Sequence, residues 1–164
     1  MNEMPQSLLE ILQRKDRKAP ALPCRDDTWL VVGVDALVIA HLQGADAEPL
    51  VEEEPWYGLQ FVRWDARTAQ VSIKWMDPGR PVMELTSIDE DPGYFMTALD
   101  ERLTHAVVVQ KQEIATNGTR VTASVRRGPN GLFSAVVADG PLDSEGSALA
   151  DYLEALVRDG VGLE

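Results

Sequence analysis

Apolar and polar residues alternate over 119–127, and the preceding run 105–116 is rich in valine and isoleucine, a pattern that predicts two antiparallel strands. The two runs are separated by Asn117 and Gly118, a pair suited to the positive φ angles of a two-residue type I′ turn. The sequence therefore predicts a β-hairpin at this position.

The same hairpin is expected to continue into a third strand over 132–138, because Gly128-Pro129-Asn130-Gly131 has the composition of a turn. The two-residue turn would place Gln112 opposite Ala123 and leave one face apolar. The other face is predicted to be wet, and its residues are Glu113, Lys111, Arg120, Thr122, Ser124 and Arg126.

A second hairpin is predicted from the runs 59–64 and 70–76, which are joined by a five-residue loop. That loop length places Phe61 opposite Ile73 and leaves Trp64 partly exposed on the other face. Residues 82–88 are predicted to form a short edge strand or a crossing segment.

Helix signals occur at three places in the chain. Ser7 and Glu10 match a capping box, so the first helix is expected to start at Ser7, and a Pro-rich linker is expected to complete residues 1–25. Asp91 before Pro92 predicts a second helix to about residue 104. Asp143 or Ser144 is expected to cap a third helix through residue 158.

The region between the first helix and the second hairpin divides into two parts. Residues 29–42 are rich in aliphatic side chains and predict one bent strand or two short strands, buried on both faces. Residues 43–56 contain Gly, Pro and the run Glu52-Glu53-Glu54, and they predict a long acidic loop.

These elements predict an α+β fold, in the order α-β(β)β-β-α-β-β-β-α. One antiparallel sheet of about five to six strands would pack against two or three helices. We expect a single domain over residues 1–164.

The formal net charge is −12, and about −11 of it falls on residues 26–104. An acidic body repels nucleic acids and anionic membranes, so we expect neither as a partner. Cys24 is the single cysteine, and the N-terminus lacks the pattern of a signal peptide. These features favour a reducing cytoplasm.

Candidate chemistry is sparse, and an enzyme is the less favoured interpretation. His41 and His105 are the two imidazole bases, and Cys24 lies in a Pro-rich segment without a nucleophile signature. Glu52-Glu53-Glu54 and Asp89-Glu90-Asp91 lack the spacing of a calcium loop. We therefore predict no catalytic residue, no metal site and no cofactor.

Aromatic residues next to the acidic run are the strongest candidates for a site. Trp56 and Tyr57 follow Glu52-Glu53-Glu54 directly, and Trp64 lies in the next predicted strand. Such residues can anchor a protein partner, although they can equally plug the end of the hairpin. The predicted partner is a basic or apolar segment of another protein, and the hairpin edges could support a homodimer.

The leading helix, with Ser7-Leu8-Leu9-Glu10-Ile11-Leu12, the order of elements and the acidic balance resemble the class I type III secretion chaperones. That resemblance implies a small dimeric protein that holds an extended segment of an effector. An extra strand and the loop over 43–56 depart from the family pattern, and the resemblance transfers no site residues.

Two other functions remain open from the sequence. A small-ligand carrier or enzyme would have a pocket between the sheet and the helices, with His41, Asp35 and Arg63 as the residues to test. An immunity or inhibitor protein for a basic toxin would fit the acidic charge equally well.

Overall fold

The computed structural model describes residues 2–43 and 48–164, which form three α-helices and three antiparallel sheets. The first sheet has the order β1 (Ala21–Cys24), β2 (Thr28–Val32), β3 (Ala36–His41) and β4 (Leu50–Pro55). The second contains β5 (Leu59–Asp65), β6 (Gln70–Trp75) and β7 (Met83–Thr86). In the third, β9 (Arg120–Gly128) lies between β8 (Val107–Ile114) and β10 (Gly131–Ala138). The helices are α1 (Gln6–Ile11), α2 (Gly93–Ala106) and α3 (Ser144–Gly160).

The α+β class with antiparallel pairing is confirmed, whereas the prediction of one sheet with five to six strands is wrong. The chain divides into two compact units. The first unit contains α1, the first two sheets and most of α2. The second contains the end of α2, the third sheet and α3. One domain over residues 1–164 stays a prediction.

In the first unit, β2 and β3 are buried on both faces, as their aliphatic sequence predicts. Leu8 and Leu12 cover one face. They pack on Ala21, Val31, Val38 and Ala40. Leu30 and Ile39 on the other face have no exposed surface. Burying each such side chain contributes roughly 1.5–3 kcal/mol to stability.

The N-terminal segment differs from its prediction in two ways. Ser7 and Glu10 lie inside α1, whose N-cap is Pro5, so the predicted capping box is wrong. Pro23 lies within β1 instead of a linker, and its carbonyl accepts a hydrogen bond from the Ile88 N–H at 3.0 Å. The Arg25 N–H also donates to the Thr86 carbonyl at 2.8 Å, so backbone bonds join the first two sheets beside β1.

The hairpin between β5 and β6 has a loop one residue shorter than predicted. Leu59 pairs with Trp75 as expected, but a register shift follows, and Val62 then pairs with Ile73. Trp64 consequently lies opposite the buried Val71 and shares its face of the sheet.

The turn between β8 and β9 is a three-residue loop, not the predicted two-residue turn. The Ala115 N–H donates to the Thr119 carbonyl at 2.8 Å, and the Gly118 N–H donates to the Ala115 carbonyl at 2.9 Å. Gly118 has a φ of 89°, as expected for a type I turn closed by a left-handed glycine. Gln112 therefore pairs with Thr122 rather than with Ala123.

The predicted wet face is wrong for Thr122, Ser124 and Arg126 of β9, which are buried, whereas its other predicted members, Lys111, Glu113 and Arg120, are exposed. Val121, Ala123 and Val125 form the predicted apolar face and pack against α3. On the opposite face Ser124 and Arg126 are each 1% exposed.

α3 follows its prediction closely. The Asp143 carboxylate caps the helix by accepting a hydrogen bond from the Gly146 N–H at 2.7 Å. Ala150, Leu153 and Val157 pack on the third sheet, whereas Tyr152 is 57% exposed.

Candidate protein-binding site

The three glutamates Glu52, Glu53 and Glu54 lie in β4, at the end of the four-stranded sheet, and not in a loop. They pair with Ile39, Val38 and Leu37 of β3. Glutamate has a low strand propensity. An end strand needs only one hydrogen-bonded neighbour, however, and pairing with the apolar β3 is sufficient to hold β4 in the sheet. Residues 44–47 of the predicted acidic loop lie outside the described residues.

Side chains of β4 present acid on both faces of the strand. Glu53 is exposed, and its Oε1 accepts a hydrogen bond from Gln13 Nε2 at 3.5 Å. Glu52 and Glu54 are partly exposed on the opposite face. Leu50, at the start of the strand, is 54% exposed and adds an apolar side chain to this acidic edge.

The backbone of β4 also offers hydrogen-bonding groups at its outer side. The Leu42 N–H donates to the Asp27 carbonyl at 2.7 Å, so the residue directly after β3 and the residue directly before β2 form a hydrogen-bonded pair. Because bonding alternates along antiparallel strands, Leu50, Glu52 and Glu54 bond to β3. The peptide N–H groups of Val51 and Glu53 therefore point away from the sheet.

Two buried acceptor atoms lie in the same part of the chain. Glu52 Oε2 and Gln60 Oε1 are shielded from solvent and find no hydrogen-bond donor among the described residues. A buried oxygen without a donor costs roughly 1–3 kcal/mol.

The aromatic candidates separate into core and surface. Trp56 is 6% exposed, and its Nε1–H donates to the Gly33 carbonyl at 3.1 Å. It therefore belongs to the core of the first unit. Tyr57, in the short 3-10 helix Trp56–Gly58 after β4, is partly exposed, as is Trp64 on β5. The fold thus brings Tyr57 close to the glutamates along the chain, while Trp64 lies in the second sheet.

A basic side chain lies beside this acidic strand. Lys15 forms an ion pair with Asp35. The hydrogen bond to Asp35 is the main cause that raises the pKa of Lys15, and the charges of Asp16 and Glu53 add to it. The negative charge of Glu53 in β4 therefore already helps to raise the pKa of a lysine of the chain itself.

The residues predicted for a catalytic pocket do not come together. His41 ends β3, and its Nδ1 lies 3.1 Å from Thr28 Oγ1, whereas Asp35 precedes the opposite end of that strand. A six-residue strand separates the two by roughly 20 Å. The Arg63 guanidinium lies 3.9 Å from the centre of the Phe61 ring.

Burial shifts the pKa values of two further groups. Cys24 is 2% exposed, and burial raises the pKa of its thiol to about 12. Arg126 donates to Ser124 Oγ at 3.0 Å, and burial lowers its pKa to about 10.

An open cavity of about 310 Å³ on α3 is lined mainly by carboxylates and Arg158. Within residues 2–43 and 48–164, no three potential ligands from His, Cys, Asp and Glu are grouped to hold a metal ion.

Comparison with models of known protein families, with curated proteins and with solved structures finds no match for this chain. None of the helices in the described part of the chain is long and apolar enough to cross a membrane.

Sequence reasoning missed the start of this site. Leu50 and Val51 lie within the predicted loop 43–56, yet together they are the aliphatic signal that precedes the glutamates in β4. Their pairing with His41 and Ala40 continues the sheet. Because the apolar strand before the loop needs a hydrogen-bonded neighbour on each side, these two residues are the signal for a strand over 50–55.

Proposed function

We propose that this protein is a non-catalytic, acidic binding module that holds an extended, basic segment of another protein along β4. The observation that carries the proposal is the acidic edge itself: an end strand with a glutamate run, an exposed Leu50 and outward N–H groups at Val51 and Glu53. Binding of an extended segment is also what the resemblance to secretion chaperones implies.

The physical basis is addition of a strand to a sheet edge. Main-chain hydrogen bonds to Val51 and Glu53 supply affinity, and alternate side chains of the incoming segment supply specificity. Lysine or arginine opposite Glu53 gains from charge, and an apolar side chain near Leu50 removes surface from water. The net charge of −12 steers a basic segment toward the protein.

The proposal is tested with a labelled peptide of alternating lysine and valine, titrated with the full chain and followed by fluorescence anisotropy. The control peptide alternates glutamate and valine. We expect Glu53→Lys to weaken binding of the lysine peptide about tenfold, because an attraction becomes a repulsion.

Glu84→Lys is the matched control, since Glu84 is also an exposed strand glutamate and the change in net charge is the same. If both variants lose affinity equally, the peptide senses only the overall field, and β4 is not the site. Equal binding of the two peptides to the native protein would contradict an acidic site altogether.

A further inference from the structure

The outer strand of the third sheet has properties unlike those of β4. β8 lies at one end of the order β10-β9-β8. Its last five residues, 110–114, are all exposed, and Ile114 keeps 65% of its surface in solvent. An exposed edge of this length is a template for another strand.

The hydrogen bonds of the β8–β9 hairpin show which backbone groups point outward. The Ala115 N–H bonds to Thr119, so alternation makes Glu113 and Lys111 the residues that bond to β9. The peptide groups of Gln110, Gln112 and Ile114 therefore point away from the sheet.

The charges along this edge are self-complementary. Lys111 and Glu113 are two residues apart, on one face of the strand, with Gln112 between them. When an identical strand runs antiparallel with Gln112 opposite Gln112, each Lys111 meets a Glu113 of the second copy.

We propose that two copies of this chain pair through β8 in that register and form a continuous six-stranded sheet. The inference does not depend on peptide binding at β4. The occupant is a second copy because the edge complements its own reversed sequence, which is what a two-fold symmetric interface requires.

The register satisfies the backbone as well as the charges. Gln112 opposite Gln112, and Gln110 opposite Ile114, bring together only outward-pointing peptide groups. Lys111 and Glu113 then occupy the non-hydrogen-bonded pairs, where side chains approach most closely. The exposed Ile114 gains a neighbour on its other side.

Neighbouring registers are disfavoured by the same side chains. Sliding one strand by two residues places Lys111 opposite Lys111 in one direction and Glu113 opposite Glu113 in the other. Sliding by one residue sets outward peptide groups against inward ones. One register is therefore selected.

The test measures the mass of the full chain by sedimentation velocity, from micromolar to submillimolar protein. Native protein is expected to shift from monomer to dimer with concentration. Lys111→Glu and Glu113→Lys should each weaken the dimer about tenfold or more, because symmetry creates two like-charge pairs. Arg120→Glu is the control for net charge, as Arg120 lies on the central strand.

An equimolar mixture of Lys111→Glu and Glu113→Lys should dimerise as native protein does, since each variant then supplies the charge that the other lacks. Gln112→Pro should abolish the dimer and lower the unfolding temperature only slightly, because the lost N–H points outward and the variant otherwise removes one side-chain hydrogen bond, from Gln112 Nε2 to Thr122 Oγ1. A native protein that stays monomeric throughout the range overturns the proposal. So does a dimer that survives both single charge reversals, or a mixture that remains monomeric.

Discussion

β4 and β8 are both end strands, yet their charges are arranged in opposite ways. β4 carries Glu52, Glu53 and Glu54, so a second copy of it would place acid against acid. β8 carries Lys111 and Glu113, which complement a reversed copy. Under the two proposals made above, the order of charges along an exposed edge, more than strand propensity, selects whether the partner is a foreign basic segment or an identical chain.

The largest expected effect comes from comparing the buried residue that supports β4 with an exposed residue of β8. Ile39, which pairs with Glu52, is fully buried, whereas Ile114 on β8 is 65% exposed. Ile39→Ala is expected to lower the free energy of unfolding by about 4 kcal/mol, and Ile114→Ala by less than about 0.5 kcal/mol. Urea unfolding measures both losses of stability. Equal losses would show that Ile114 contributes to the core as much as Ile39 does.

A proline at each edge distinguishes inward from outward peptide groups. Glu52→Pro and Lys111→Pro remove N–H groups that bond to β3 and β9, so each should cost about 3 kcal/mol of stability. Glu53→Pro and Gln112→Pro should cost much less, because their N–H groups point outward. Thermal unfolding of the four variants tests this, and a reversed order would mean that the ladder alternation is assigned incorrectly.

Charge reversal should separate the two binding activities. Glu53→Lys is expected to weaken the lysine–valine peptide about tenfold, or about 1.4 kcal/mol, and to leave self-association unchanged. Lys111→Glu should do the opposite. Anisotropy and sedimentation on the same preparations measure both, and a variant that lowers both activities would show that one edge serves both partners.

The smallest expected effect concerns Lys15 beside β4. Its folded-state pKa is raised above 10.5, mainly by the hydrogen bond to Asp35. The stabilisation is therefore fully present below pH 10.5 and is lost as pH rises through the folded pKa. In an NMR titration, Asp35→Asn should lower the pKa of Lys15 more than Glu53→Gln does. If Glu53→Gln lowered the pKa of Lys15 more, Glu53 and not Asp35 would be the main partner of that lysine.

Local signals were sufficient where a strand or helix depends on its own residues. Asp143 caps α3 as predicted, and the aliphatic run before His41 forms two buried strands. β1 and β4 are not predicted from the sequence because their stability comes from neighbouring segments. The Pro23 carbonyl in β1 accepts a hydrogen bond from the segment after β7, and the glutamates of β4 pair with the apolar β3. Tertiary pairing overrides propensity at both places.

The candidate site was predictable as a composition but not as a geometry. The glutamate run and Tyr57 were identified, but the burial of Trp56 depends on a hydrogen bond to Gly33, far away in the sequence. The outward direction of the Glu53 N–H likewise depends on bonding between β2 and β3. No pattern within residues 50–57 contains either fact.

The three-residue loop Thr116-Asn117-Gly118 has a consequence for how the β8 edge can be inherited by descendants of this chain. Loss of one residue from the loop would leave two residues between the paired Ala115 and Thr119, and a two-residue turn can close the same pair. The register of β8 on β9 would be kept, and the peptide groups of Gln110 and Gln112 would still point outward. A single-codon deletion in this exposed turn would therefore alter the turn and leave the edge as it is.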